Sequence, residues 1–260
     1  MKATPSRVAR SLCLAVFILV LLHLSTQALS IYGGHENQLG FQRQFNLNEE
    51  NNIPTWFSSS MFLACSLLLV VIGWAKRSAN STDARSWLLL AAVFLYLSMD
   101  EASSLHEMLM PAGAAIVERA GLFRPYFFFG WVPFGVAASA IIGLINVPFL
   151  RSLPKETRRR FLFAACIYFS GAVVAEMVGG AIAYYLGTDG VPFAMEVTAE
   201  EGLEMLGIIA FLYGILMHLR REDVSSVVGL SLLRLFNSEE KRLSPFTMAN
   251  SSRLNAVGRR

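Results

Sequence analysis

The sequence predicts an all-α, polytopic membrane bundle of about six transmembrane helices with both termini cytoplasmic, and three observations carry that prediction. The 260 residues are 54% hydrophobic and only 16% charged, with a mean hydropathy of +0.49, outside the usual range of soluble domains. Six stretches approach the ~20 apolar residues that a helix needs to cross a bilayer: 12–31, 55–75, 87–108, 127–150, 161–185 and 194–219. The basic residues fall almost entirely in alternate loops: of 22, all but Arg43, Arg119 and Arg124 lie before the first span, between the second and third, between the fourth and fifth, or after the sixth. Lysine and arginine near helix ends mark the cytoplasmic side.

Each element follows from this map. The first span, within "MKATPSRVARSLCLAVFILVLLHLSTQALS", also has the basic start, short apolar core and small residues of a secretory signal, so residues 1–30 read either as a signal peptide or as a signal anchor. The loop after it ends in a helix start, where Asn52 or Thr55 can cap and Pro54 can occupy the first turn. Trp56 is then expected at the membrane interface, and Glu49 and Glu50 in solvent. The stretch "MPAGAAIVERAGLFRPY" reads as a short amphipathic helix on the bilayer surface. Residues 1–221 form the membrane domain. Residues 222–260 begin with "SSVVGLSLLRLF", too short to span, and continue as a polar cytoplasmic tail. Its basic residues suit membrane lipid better than nucleic acid, because no nucleic-acid motif accompanies them.

Cys13, Cys65 and Cys166 all fall inside spans and read as small packing residues without a disulfide framework. His23 reads as a packed histidine, and His218, beside Arg220 and Arg221, as an inner interface residue. Phosphate loops, dinucleotide fingerprints, two-histidine zinc motifs and nucleophile elbows are all missing.

The stretch "LSMDEASSLHEML", 97–109, closes an otherwise apolar span with three carboxylates and a histidine. A charged side chain at a helix centre costs about 2.5–3.5 kcal/mol on insertion scales, so such groups need partners. At 3.6 residues per turn Asp100, Ser103, Ser104 and Glu107 share one face, with His106 at its edge and Glu101 on the other side of Asp100. Asp100 then lies roughly 20 Å from the inner end of its span. The same depth holds Glu176, on a face with Ala172 and Gly180, and the series Glu196, Glu200 and Glu204 at four-residue steps, with Glu201 beside them. Small residues let a neighbouring helix approach closely.

So many acids with so little positive charge leave three solutions: some stay protonated, water reaches them, or a cation compensates them. A divalent metal held by Asp100, Glu101, His106, Glu107, Glu176, Glu200 and Glu204, with Ser103, Ser104, Glu196 and Glu201 behind them, is the first reading. Carboxylates with one histidine suit Zn, Fe, Mn or Ca. The chain is then an integral membrane protein with a metal site in the outer half, read as an enzyme on a lipid or lipid-soluble substrate, with the catalytic residue left open. A proton- or cation-coupled transporter or channel component, and a structural subunit of a membrane complex, are the alternatives. Below Glu204 the sixth span reads "MLGIIAFLYGILM", which argues for a closed inner half.

The segments "SMDEASSLHE" (98–107) and "NIPTW" (52–56) resemble those of a group of uncharacterised multi-pass bacterial membrane proteins that pair a Ser-x-Asp-Glu-x4-His-Glu segment with an Asn-x-Pro-Thr-Trp helix start. The resemblance implies a bacterial inner-membrane location and no known activity. Membrane hydrolases of the alkaline ceramidase type carry a late His-x-x-x-His that this chain lacks.

Overall fold

The computed structural model describes residues 4–33 and 40–221, which form helices and connecting turns. Six helical spans are long and apolar enough to cross a membrane: Pro5–Tyr32, Ile53–Ser78, Ala84–Ser103, Val132–Ser152, Lys155–Leu186 and Val191–Arg221. Helices α1 (Pro5–Gly33), α2 (Phe41–Phe45), α3 (Ile53–Ser78), α4 (Ala84–Ser103), α5 (Met110–Ala120), α6 (Val132–Ser152), α7 (Lys155–Phe169), α8 (Glu176–Leu186) and α9 (Val191–Arg221) follow in chain order. The stretch expected to lie on the surface after Arg221, and the polar tail, fall outside the described residues.

Helix α9 is the central post, packed by α1, α3, α7 and α8, while α4 leans on α3. The core runs through Cys65, Leu69 and Ile72 of α3, Trp87 of α4, and Met205, Ile208 and Ile215 of α9, all essentially inaccessible. Trp87 ties the basic end of the bundle together, with Phe149 edge-on at 5.0 Å, Phe161 at 6.1 Å and the His218 ring stacked at 4.8 Å. His218 is thus a core residue whose Nδ1 meets the Thr157 hydroxyl at 3.2 Å, and not the interface residue its basic neighbours imply. Of the cysteines only Cys65 is a buried packing residue; Cys13 and Cys166 are exposed.

Local chemistry sets the helix ends. The Asn52 side chain accepts from the Thr55 backbone N–H at 3.1 Å, and Pro54 sits in the first turn of α3, as the sequence predicts. Trp56 is exposed on the outer face of α3, a position suited to a membrane interface. The amphipathic stretch forms α5, closed by Gly121 at φ +63°. Between α7 and α8 the span widens into one π-helical turn, Ser170–Ala175. There Gly171 lets α9 approach so closely that a Cβ would stand 2.7 Å from the Glu200 carbonyl oxygen.

The third span departs from expectation. Helix α4 stops at Ser103, Ser104 turns left-handed at φ +49°, and His106–Leu109 form a separate 3-10 turn. Asp100, Ser103, Ser104 and Glu107 therefore do not share one helical face. The cause lies in Asp100, whose Oδ1 accepts the His106 backbone N–H at 2.7 Å, folding the chain back over the end of its own helix.

Candidate functional site

A cavity of about 610 Å³ opens among α3, α4, α6, α7 and α9. Its wall includes Glu49, Glu50, Asp100, Glu101, His106, Glu107, Glu176, Glu200, Glu201 and Glu204, so most of the acids read from the sequence do converge, although they come from separate elements. Among the described residues His106 is the one basic side chain on that wall. Ser103 and Ser104 are not on it. Ser103 is exposed, and Ser104 contributes its carbonyl to the Glu107 backbone N–H. Glu196 lies behind the wall, 7% exposed, pressed against Gly179 of α8, where a Cβ would meet its Oε2 at 2.3 Å.

The acids fall into two groups. At the mouth, Glu50, His106 and Glu107 each bring one ligand atom within 4.8 Å of the others. His106 is held twice by Asp100: its backbone N–H reaches Oδ1, and its ring Nδ1 lies 3.2 Å from Oδ2. That second contact leaves Nε2 as the nitrogen available to a ligand. Trp131 packs edge-on to the imidazole with centroids 5.0 Å apart. Burial opposes a charge on His106, but the hydrogen bond and charge of Asp100, with Glu50 and Glu107 nearby, outweigh it and raise the imidazole's pKa. Burial also raises the Glu50 carboxyl, and the charge of Glu107 adds to the effect. Glu50 Oε2 is buried with no hydrogen-bond partner.

Deeper, α8 supplies Glu176, α9 supplies Glu200, Glu201 and Glu204, and α4 supplies Glu101. Trp131 Nε1 donates to Glu176 Oε1 at 2.7 Å and so links the two groups. The Glu200 carboxyl meets that of Glu176, and the Tyr168 hydroxyl pairs with Glu204. Glu101, Glu200, Glu201 and Glu204 are partly buried on the cavity wall.

Glu50, Trp131 and Tyr168 were not among the candidates that the sequence pattern gives. Glu50 in particular is not a solvated loop acid. Asn52 is the residue that turns it inward: its Nδ2 donates to the carbonyls of Asn46 and Glu49 at 2.7 Å each and of Arg43 at 3.2 Å, while its Oδ1 caps α3. From the other side His23 of α1, fully buried, accepts the Leu47 backbone N–H on its Nδ1 at 3.1 Å. The helix-start motif could have revealed Glu50 only through its distance of two residues from Asn52. Asn52→Ala is expected to cost about 1–2 kcal/mol for the cap alone and to release the Glu50 loop, read as a lower thermal transition in detergent with proteolytic cleavage between residues 40 and 52.

Six apolar spans enclosing such a cavity are the make-up of an integral membrane protein with a carboxylate/histidine cluster. The chain belongs to the family described as a domain of unknown function, DUF8692, which matches residues 11–219. No curated protein and no solved structure matches it.

Proposed function

We propose that this is a multi-pass protein of the bacterial inner membrane, with both termini cytoplasmic, that holds a divalent metal through Glu50, His106 and Glu107 at its periplasmic mouth and acts as an enzyme on a lipid or lipid-soluble substrate. The observation that carries the reading is the His106 arrangement. A metal-binding histidine characteristically has its other ring nitrogen fixed by a carboxylate, which sets the tautomer and raises the basicity of the free nitrogen; Asp100 stands where that carboxylate belongs. The unpartnered Glu50 Oε2 points to the same missing group. Two carboxylates with one imidazole suit Zn, Fe or Mn better than Ca, whose sites are built from oxygen. The basic ends of α3, α4, α6, α7 and α9 support the orientation.

A bound metal would polarise a substrate oxygen or activate water. Glu204 with Tyr168, and Glu176 with Glu200, are the groups placed to hold or deliver a proton beside it. The transporter alternative has less support, since among the described residues the cavity wall below Glu204 carries no charged side chain. Elemental analysis of detergent-purified protein tests the assignment. Wild type should carry metal near one equivalent per chain, Glu50→Ala and His106→Ala should lose it, and Glu118→Ala, on exposed α5, should keep it. A folded wild type that takes up no metal from a Zn, Mn or Fe supplement would remove the reading.

A further inference from the structure

Below the acids the cavity does not end. On α9 its wall runs from Phe193 to Phe211, roughly 27 Å at 1.5 Å per residue, close to the ~30 Å hydrocarbon thickness of a bilayer. The turn after α4 meets the start of α6 where His106 contacts Trp131, and the two helices meet where Trp87 contacts Phe149. Between those contacts their facing side chains, Leu90, Phe94 and Leu97 against Phe134, Ala138 and Ile142, line the cavity. Leu162 and Phe169 of α7 are exposed and also on the wall, so the cavity reaches the flank of the bundle as well as its mouth. It is a slot with an acidic top and a hydrocarbon lower part.

The polar atoms of this wall define what is missing. Among the described residues, the buried wall atoms without a hydrogen-bond partner are Glu50 Oε2 at the top and Asn146 Oδ1 near the bottom, and both are acceptors. Asn146 is 6% exposed, and its Nδ2 is already used on the Ile142 carbonyl. Among the described residues the wall has no lysine or arginine. A dication at the mouth offsets Glu50 and Glu107, and Asp100 is matched by His106, yet Glu101, Glu176, Glu200, Glu201 and Glu204 remain without a positive partner. An anionic head group is therefore repelled, whereas an ammonium offsets a carboxylate and donates hydrogen bonds to its neighbours. Trp131, Phe129 and Tyr168 add aromatic surface around the acids, which favours an ammonium group.

From this we infer that the slot binds a single-chain cationic amphiphile, a long-chain amine whose ammonium sits among Glu101, Glu176, Glu200, Glu201 and Glu204 and whose tail lies between α4 and α6. The inference deepens the reading above by naming its substrate class, and shares with it only the cavity.

Gly143 of α6 provides a clean test. It lines the slot, and a Cβ built on it meets nothing within 4 Å, so a side chain there starts into open space. Full-length protein in a nonionic detergent is titrated with radiolabelled dodecylamine, with metal content measured on the same samples. Saturable binding near one per chain is expected, displaced by unlabelled dodecylamine and not by dodecanol or dodecanoate. Gly143→Trp and Gly143→Leu should weaken it about tenfold or more while keeping the wild-type thermal transition and metal content. Non-saturable binding, equal displacement by dodecanol or dodecanoate, or unchanged affinity in whichever Gly143 variant keeps the wild-type transition would overturn it. Metal without amine binding removes this inference alone; amine binding without metal removes the metal assignment alone.

Discussion

Gly113→Ala is expected to disorder the mouth of the site and to lower stability by about 4 kcal/mol or more, the range reached when a well-defined packing contact is destroyed. A Cβ on Gly113 of α5 would stand 1.5 Å from the Gly130 carbonyl oxygen, and one on Gly130 would stand 2.2 Å from the Met110 carbonyl oxygen. Backbone presses on backbone here, so no side chain can swing away to relieve the overlap. Gly130 directly precedes Trp131, whose indole contacts His106 and donates to Glu176. Displacing it would separate the two acid groups. The measurement is the thermal transition in detergent, with Gly143→Ala as the control that should leave it unchanged because that position is open.

Asp100→Asn is expected to weaken metal binding by about 10–100-fold, the usual range for losing the group behind a ligand, with little change in folding. The His106 backbone N–H demands an oxygen at the Oδ1 position, so the asparagine must turn its NH2 toward the ring. Nδ1 then has to accept, and the imidazole proton moves to Nε2, the nitrogen needed for the metal. Metal titration of stripped protein reads the affinity, and the thermal transition of the metal-free protein separates this effect from a structural one. An unchanged affinity would show that Asp100 does not orient the histidine.

How much of this was legible in the sequence depended on the length scale of the cause. The six spans were, because 20-residue hydropathy is a property of composition. The convergence of Glu176, Glu200, Glu201 and Glu204 was, because depth in a span follows from counting at a fixed rise and regular helices preserve that count. The break at Ser104 was not. Hydropathy and helical period run on through residue 108, and what stops the helix is one carboxylate capturing a backbone N–H two residues beyond the turn. Glu50 was missed for a related reason: "NEENN" has the composition of a solvated loop, and only the five hydrogen bonds around Asn52 and the tether from His23 fold it inward. Trp131 looked like one more aromatic residue near a helix end, since its value lies in contacts with partners 25 and 45 positions away.

The hydrocarbon lower part of the slot also has an electrical consequence. With no charged group among the described residues of its wall past Glu204, the slot offers an ion no stepping stones to the basic end, and each elementary charge moved across a membrane is worth ~2.3 kcal/mol per 100 mV. With water at the mouth, most of a transmembrane voltage would drop across that insulating stretch. A cation seated among the acids stays near the potential of the compartment at the mouth, so its occupancy follows that compartment's concentration and is insensitive to membrane energisation.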